Sequence, residues 1–276
     1  NTPHEIIQQN ILGAAAKAKT RILNILVLGM MAGSFIAMGA QSSSLAVHNI
    51  SNIGLARTLA GCIFPVGLMM IVFVGGELFT GDCMMSMAWM QRKIHFADML
   101  RTLVLVYVSN FVGAALIAFL VAHSGQYDYS SGALGAYTIK VAYGKVHLSF
   151  ANALVSGILC NILVCVAVLM AAAAKDIAGK VLAIFFPILA FVVSGFEHCV
   201  ANMYYIPAGI FASKNAAYAA KALELYNIDS TQLSSLNWGS FAISNLIPVT
   251  IGNIIGGALL VGGACFYLHG KALHES

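Results

Sequence analysis

Six stretches of the chain are apolar over the roughly 20 residues that a helix needs to cross a bilayer: about 22–47, 57–91, 99–122, 149–174, 180–212 and 240–268. Four of them read as single helices. The second and fifth are too long for one straight helix, and polar residues and glycine interrupt both, in GGELFTGDCM (75–84) and SGFEHCVANMYYIP (194–207). The pattern predicts an all-α integral membrane protein, one transmembrane domain over 1–276, with broken second and fifth helices. Ahead of the first span, Thr2, Pro3 and Glu5 have capping-box spacing with proline at the first helical position. Ile6, Ile7, Ile11, Leu12 and Ala15 then oppose Gln8, Gln9, Lys17 and Lys19. Residues 1–20 are therefore expected to form an amphipathic helix, lying along the inner membrane face or against a cytosolic partner.

The halves of the chain resemble each other. SNFVGAAL (109–116) and GNIIGGAL (252–259) match at Asn110 and Asn253, at Gly113 and Gly256, and at the closing Ala-Leu. The two breaks line up as well when Thr80 is set against His198. Residues 22–122 and 149–268 thus read as two repeats of three spans. An odd number of crossings inverts the second copy, giving an inverted 3+3 repeat whose breaks meet near the midplane. Small residues recur wherever membrane helices pack, and packing alone accounts for Gly252-xxx-Gly256. It does not require paired breaks.

Composition agrees with this and excludes other classes. Hydrophobic residues make up 60% and charged residues 9% of the 276, against about 25% charged in soluble domains. No single apolar leader with a small-residue cleavage site opens the sequence, so insertion is expected to use the spans themselves. Nine cations (Lys17, Lys19, Arg21, Arg92, Lys93, Arg101, Lys175, Lys180, Lys271) fall on one side of the membrane and five (Arg57, Lys140, Lys145, Lys214, Lys221) on the other. The positive-inside rule then puts both termini in the cytoplasm. The net charge of +4 is spread over loops, which does not suit nucleic acid. Six cysteines lie in or beside apolar runs without metal-type spacing, so reduced thiols, no metal and no cofactor are expected.

A helix broken in hydrocarbon leaves unpaired backbone groups and is tolerated only inside protein or along a wet cavity. Two breaks at related positions therefore point to a pore. Half-helices starting near Thr80 and His198 would present free N–H groups and positive dipole ends to an anion at one central site. His198, the one histidine in mid-span, can donate a hydrogen bond when neutral or pass on a proton when charged. Thr80 offers a hydroxyl opposite it, although a threonine there also serves as a cap. Glu197 beside an anion path would repel the cargo. It is expected to turn away and pair with Asn202 or with Lys145, and Glu77 and Asp82 are expected to hold the first break in the same structural manner.

These motifs resemble the formate/nitrite transporter family over essentially the whole chain, through GGELFTG, SGFEHCVANMYYIP and NLIPVTIGNIIGG (245–257). The resemblance implies an aquaporin-like protomer, a homopentamer with one pore per protomer, and passage of small monovalent weak-acid anions across the bacterial inner membrane. It makes His198 and Thr80 the central pore pair, with Leu68, Leu78, Phe79 and Phe191 as constrictions that gate by dewetting. Asn161 and Asn253 become pore asparagines, Lys145 an anion-attracting group at the mouth, and Glu197 and Asn202 the supporting polar cluster. Gly81 and Asp82 depart from the FTS form associated with formate channels. The overall pattern is most similar to the hydrosulfide branch, which puts hydrosulfide first, and formate and nitrite next.

Two other classes fit the residues less well. A pore for neutral solutes suits six spans and an inverted repeat, but no Asn-Pro-Ala pair occupies the breaks and no second mid-span histidine is present. An intramembrane enzyme using Glu197, His198 and Cys199 is disfavoured, because adjacent helical residues point in different directions.

Overall fold

The computed structural model describes residues 1–270; Lys271, one of the cations counted above, lies outside them. Among the described residues six helices are long and apolar enough to cross a membrane: Ile22–Val47, Ile53–Val74, Phe96–Ala122, Phe150–Ala173, Ile177–Ser194 and Trp238–His269. The second span stops at Gly75 and resumes at Phe79. The fifth stops at Gly195 and resumes as Cys199–Ala212. Much of the outward surface is apolar, with Leu23, Val104, Phe186 and Leu259 exposed, as suits lipid or neighbouring copies.

Both breaks begin with a glycine in the left-handed half of backbone space, Gly75 at φ 103° and Gly195 at φ 71°. Side chains rarely adopt that geometry. After each glycine comes an extended residue that opens the downstream half, Leu78 at φ −109° and ψ 119°, His198 at φ −113° and ψ 118°. The repeat is therefore in register at Gly75 with Gly195 and Leu78 with His198, which corrects the match of Thr80 to His198. Pairing the two polar side chains misplaced the register by two residues, because the symmetry belongs to the backbone and the polar pair does not follow it.

Within each half the first and third spans pack at backbone contact. A Cβ on Gly33 would strike the backbone of Asn110, and one on Gly113 the Met30 carbonyl; Gly252 and Gly256 meet Leu154 and Ile158 in the same way. The glycines thus serve both readings of the repeat, small-residue packing and duplication. The sixth span is partly underwound into π-helix, over Phe241–Leu246 and Ile255–Val261.

Helix Pro3–Lys17 has its capping box: the Glu5 amide donates to the Thr2 hydroxyl at 3.3 Å, and the Thr2 amide to the Glu5 carboxylate at 2.8 Å. Its apolar face is divided: Leu12 is exposed, while Ile7 and Ile11 turn into the protein. Ile7, Ile11 and Ala14 are buried with Met84, Met85, Met87 and Ala88, because the second span's downstream half ends in an apolar patch that needs covering. A helix unforeseen from the sequence, Ala133–Val146, precedes the fourth span and packs on Cys199–Ala212, where a Cβ on Gly209 would collide with Ala142. A second, Ala216–Tyr226, lies in the loop after the fifth span. Each half therefore opens with a short surface helix carrying a lysine in its last turn, Lys17 and Lys145.

Candidate functional site

The two breaks are held by matching asparagines. Asn110 Oδ1 accepts from the Phe79 amide at 3.0 Å, and its Nδ2 donates to the Gly29 and Glu77 carbonyls, both at 2.8 Å. Asn253 Oδ1 accepts from the Cys199 amide at 2.9 Å, and its Nδ2 donates to the Gly157 and Glu197 carbonyls at 2.8 and 3.0 Å. Both side chains are fully buried. Each satisfies a donor and an acceptor that the break exposes, where an unpaired buried group costs about 1–3 kcal/mol. The Phe79 and Cys199 amides are thus already bonded, while the Thr80, Gly81 and Val200 amides that follow have no hydrogen-bond partner among the described residues. The first amide of each downstream half therefore does not stand free for an anion, because its asparagine takes it. Asn161 ties the breaks together, its Nδ2 donating to the Thr80 carbonyl at 3.1 Å and the Asn253 carbonyl at 2.6 Å.

His198 occupies the N-cap of Cys199–Ala212, with Nδ1 accepting the Ala201 amide at 3.0 Å. An Nδ1 that accepts leaves the proton of the neutral ring on Nε2. Nε2 lies 2.9 Å from the Thr80 hydroxyl, and both residues are buried. The cap therefore fixes a tautomer whose Nε2–H donates across the gap between the two broken helices. The side chain that sits opposite Thr80 is the one the fold itself needs as a cap.

Two cavities approach this pair from opposite faces. The proximal one, about 630 Å³, lies under the N-terminal helix and is lined by Lys17, Leu68, Glu77, Leu78, Gly81 and Asp82, among others. The distal one, about 260 Å³, is lined by Arg57, Phe64, Lys145, Phe191, His198 and Asn202, among others. No residue lines both. Leu68 and Leu78 therefore stand on the proximal side, and Phe191 on the distal side, edge-on to Phe64 at 5.4 Å between ring centroids. Phe79, Thr80, Asn161, Asn253 and Glu197 line neither cavity; the Phe79 ring packs edge-on against Tyr107 at 4.8 Å.

Behind His198 the structure assembles a buried polar cluster, with Asn202 Oδ1 left without a partner among the described residues. Lys145 Nζ lies 2.7 Å from Glu197 Oε1, while Asn202 and Asn245 donate to Oε2 at 2.6 and 3.2 Å. Asn245 also donates to the Lys145 carbonyl at 2.9 Å, and the Lys145 ammonium lies over the Tyr205 ring, 5.2 Å from its centroid. The first break has the corresponding lysine: Lys17 reaches both Glu77 and Asp82. Burial disfavours the charged Lys17 ammonium, but the two carboxylates outweigh it and raise its pKa above the ordinary lysine value.

Sequence reasoning missed Asn110, Asn245, Phe64 and Arg57 as members of the site. Asn110 was visible as the partner of Asn253 in the repeat, and Asn245 stands in the NLIPVTIGNIIGG motif. Nothing in the sequence marked Arg57.

The Formate/nitrite transporter family model matches residues 4–267. The chain belongs to that family. The "Probable formate transporter" of Methanothermobacter thermautotrophicus is 38% identical over 272 residues, covering 92% of this chain and 91% of the relative. The "Formate channel FocA" of Haemophilus influenzae is 36% identical over 263 residues, covering 95% of this chain and 92% of the relative. A solved "Pentameric formate channel with formate bound" superposes with a TM-score of 0.79 at 31% identity, over 91% of this chain and 98% of that one. The family and these relatives are transporters and channels, not enzymes.

Proposed function

We propose that this family member forms a pore for small monovalent anions of weak acids in the bacterial inner membrane, as a homopentamer with one pore per protomer and both termini in the cytoplasm. The observation that carries the reading is the buried Thr80–His198 pair, at 2.9 Å, between two separate cavities. Formate stands first as substrate, because the relatives named above carry it in their names. Hydrosulfide is the second reading, favoured by Gly81 and Asp82 where formate channels are associated with FTS; nitrite is the third, by the family's description.

A bare anion crossing dry constrictions would pay a large desolvation cost. The positive dipole ends of the two downstream halves, directed at the breaks, lower that cost. The hydroxyl of Thr80, Nε2–H of His198 and the unpartnered amides of Thr80, Gly81 and Val200 are the donors left for the anion, since Asn110 and Asn253 occupy the Phe79 and Cys199 amides and His198 Nδ1 that of Ala201. An anion between Leu68 and Leu78 on one side and Phe191 on the other takes the hydrogen bond from His198, or a proton through it, and crosses with its charge partly or wholly masked. On this reading Lys145 and Glu197 form a neutral pair that positions the histidine-bearing segment.

Competition flux into proteoliposomes with formate, hydrosulfide, nitrite and chloride tests the assignment. Weak-acid anions are expected to compete with one another and chloride poorly. Permeation of water or glycerol without anion flux under any gradient would instead establish the neutral-solute pore.

A further inference from the structure

The distal cavity holds a cation that no carboxylate among the described residues neutralises. Lys145 is committed to Glu197 at 2.7 Å. Arg57, on helix Ile53–Ile63, lines the same cavity as His198, and among the described residues it takes part in no ion pair. Among the described residues no aspartate or glutamate lines that cavity, nor the neighbouring groove that shares Arg57 and continues over Tyr137, Lys140 and Tyr226.

Arg57 is also seated. A Cβ built on Gly195 would meet its Nη1, Cζ and Nη2 at 3.2, 3.4 and 3.5 Å, so the guanidinium lies flat on the glycine. Nη1 donates to the Val193 carbonyl at 3.4 Å, at the negative end of helix Ile177–Ser194, where a cation is favoured. Gly195 thus supplies both the left-handed turn and the seat. One N–H of the fork is used, and a guanidinium has five. Among the described residues the proximal cavity has no counterpart: its single lysine faces two carboxylates.

We propose that Arg57 is an anion-docking subsite at the distal mouth, that it rather than Lys145 attracts the anion there, and that its fork favours planar anions presenting two oxygens, such as a carboxylate or nitrite, over spherical ones. The proposal rests on the anion-pore reading and deepens it. A guanidinium pairs with two oxygens at once, and an ammonium acts as a point charge. Chloride or hydrosulfide would gain the charge alone.

Labelled formate uptake into right-side-out and inside-out membrane vesicles tests it. Arg57→Gln is expected to raise the half-saturation concentration roughly three- to tenfold in one vesicle orientation only, with a smaller change in maximal uptake. Arg57→Lys is expected to keep the ionic-strength dependence of uptake while chloride becomes a better competitor. An unchanged half-saturation, an equal rise in both orientations, or a fall in maximal uptake alone overturns the proposal, the last marking Arg57 as only a helix cap. Should Arg57→Gln fail to reach the membrane, Arg57→Lys decides: unchanged chloride competition overturns the preference for planar anions. Absence of anion uptake by the wild type in either orientation would sink the pore reading itself, an outcome distinct from all of these.

Discussion

Asn110 and Asn253 make the same three hydrogen bonds in the two halves of the molecule, each joining the first amide after a break to the carbonyl of the glutamate before it and to a glycine carbonyl of a neighbouring span. The same residue type answers the same demand in both copies, that a helix interrupted in an apolar setting have its exposed backbone groups paired. Asn253→Ala would leave the Cys199 amide and the two carbonyls without this partner, at about 3–9 kcal/mol for the set. Asn110→Ala should cost a similar amount. Thermal unfolding in detergent checks this, and a loss under about 1 kcal/mol in both variants would mean that other groups hold the breaks.

Glu197 is bonded on both carboxylate oxygens, and Lys145 is its counter-charge. Removing one member of a buried ion pair leaves the other uncompensated, at about 3–5 kcal/mol. Lys145→Met and Glu197→Gln should each lower stability by about that much, and the double variant by clearly less than the sum. A double-mutant cycle on melting in detergent measures the difference. Strict additivity would show that the two side chains do not depend on each other.

Lys17 brings one positive charge to two carboxylates, Glu77 and Asp82. Its pKa is raised, so the ammonium's contribution is complete below the ordinary lysine pKa and is lost only as pH climbs through the raised value. Lys17→Gln should therefore destabilise the fold at neutral pH, and the damage should shrink as acid protonates the carboxylates left facing each other. Unfolding measured across pH 5 to 9 in wild type and variant checks the sign. A penalty that grows toward acid would contradict it.

Much of this was legible in the sequence. Six apolar runs gave the spans to within a few residues, because length and hydropathy in a bilayer admit few alternatives. Gly75 and Gly195, with the polar residues after them, gave the breaks. The register of the repeat was not legible, since matching Thr80 to His198 by polarity competes with matching Leu78 to His198 by backbone shape, and only the dihedrals decide. Helix Ala133–Val146 escaped because its apolar face is interleaved with Tyr137, Lys140 and Tyr143 and falls below membrane hydropathy. Arg57 escaped because its seat, Gly195, lies far away in the chain and close only in space.

The central claim is that His198 meets the anion through Nε2 while Nδ1 caps a helix, and the two roles are separable. Asparagine is a strong N-cap residue and does not titrate, so His198→Asn should fold with the cap retained. The decisive measurement is the pH dependence of formate flux through this variant in proteoliposomes. Flux is expected to fall roughly ten- to a hundredfold, as for loss of one hydrogen bond to a charged partner, and to lose the pH dependence of the wild type. Wild-type flux with wild-type pH dependence would contradict the claim.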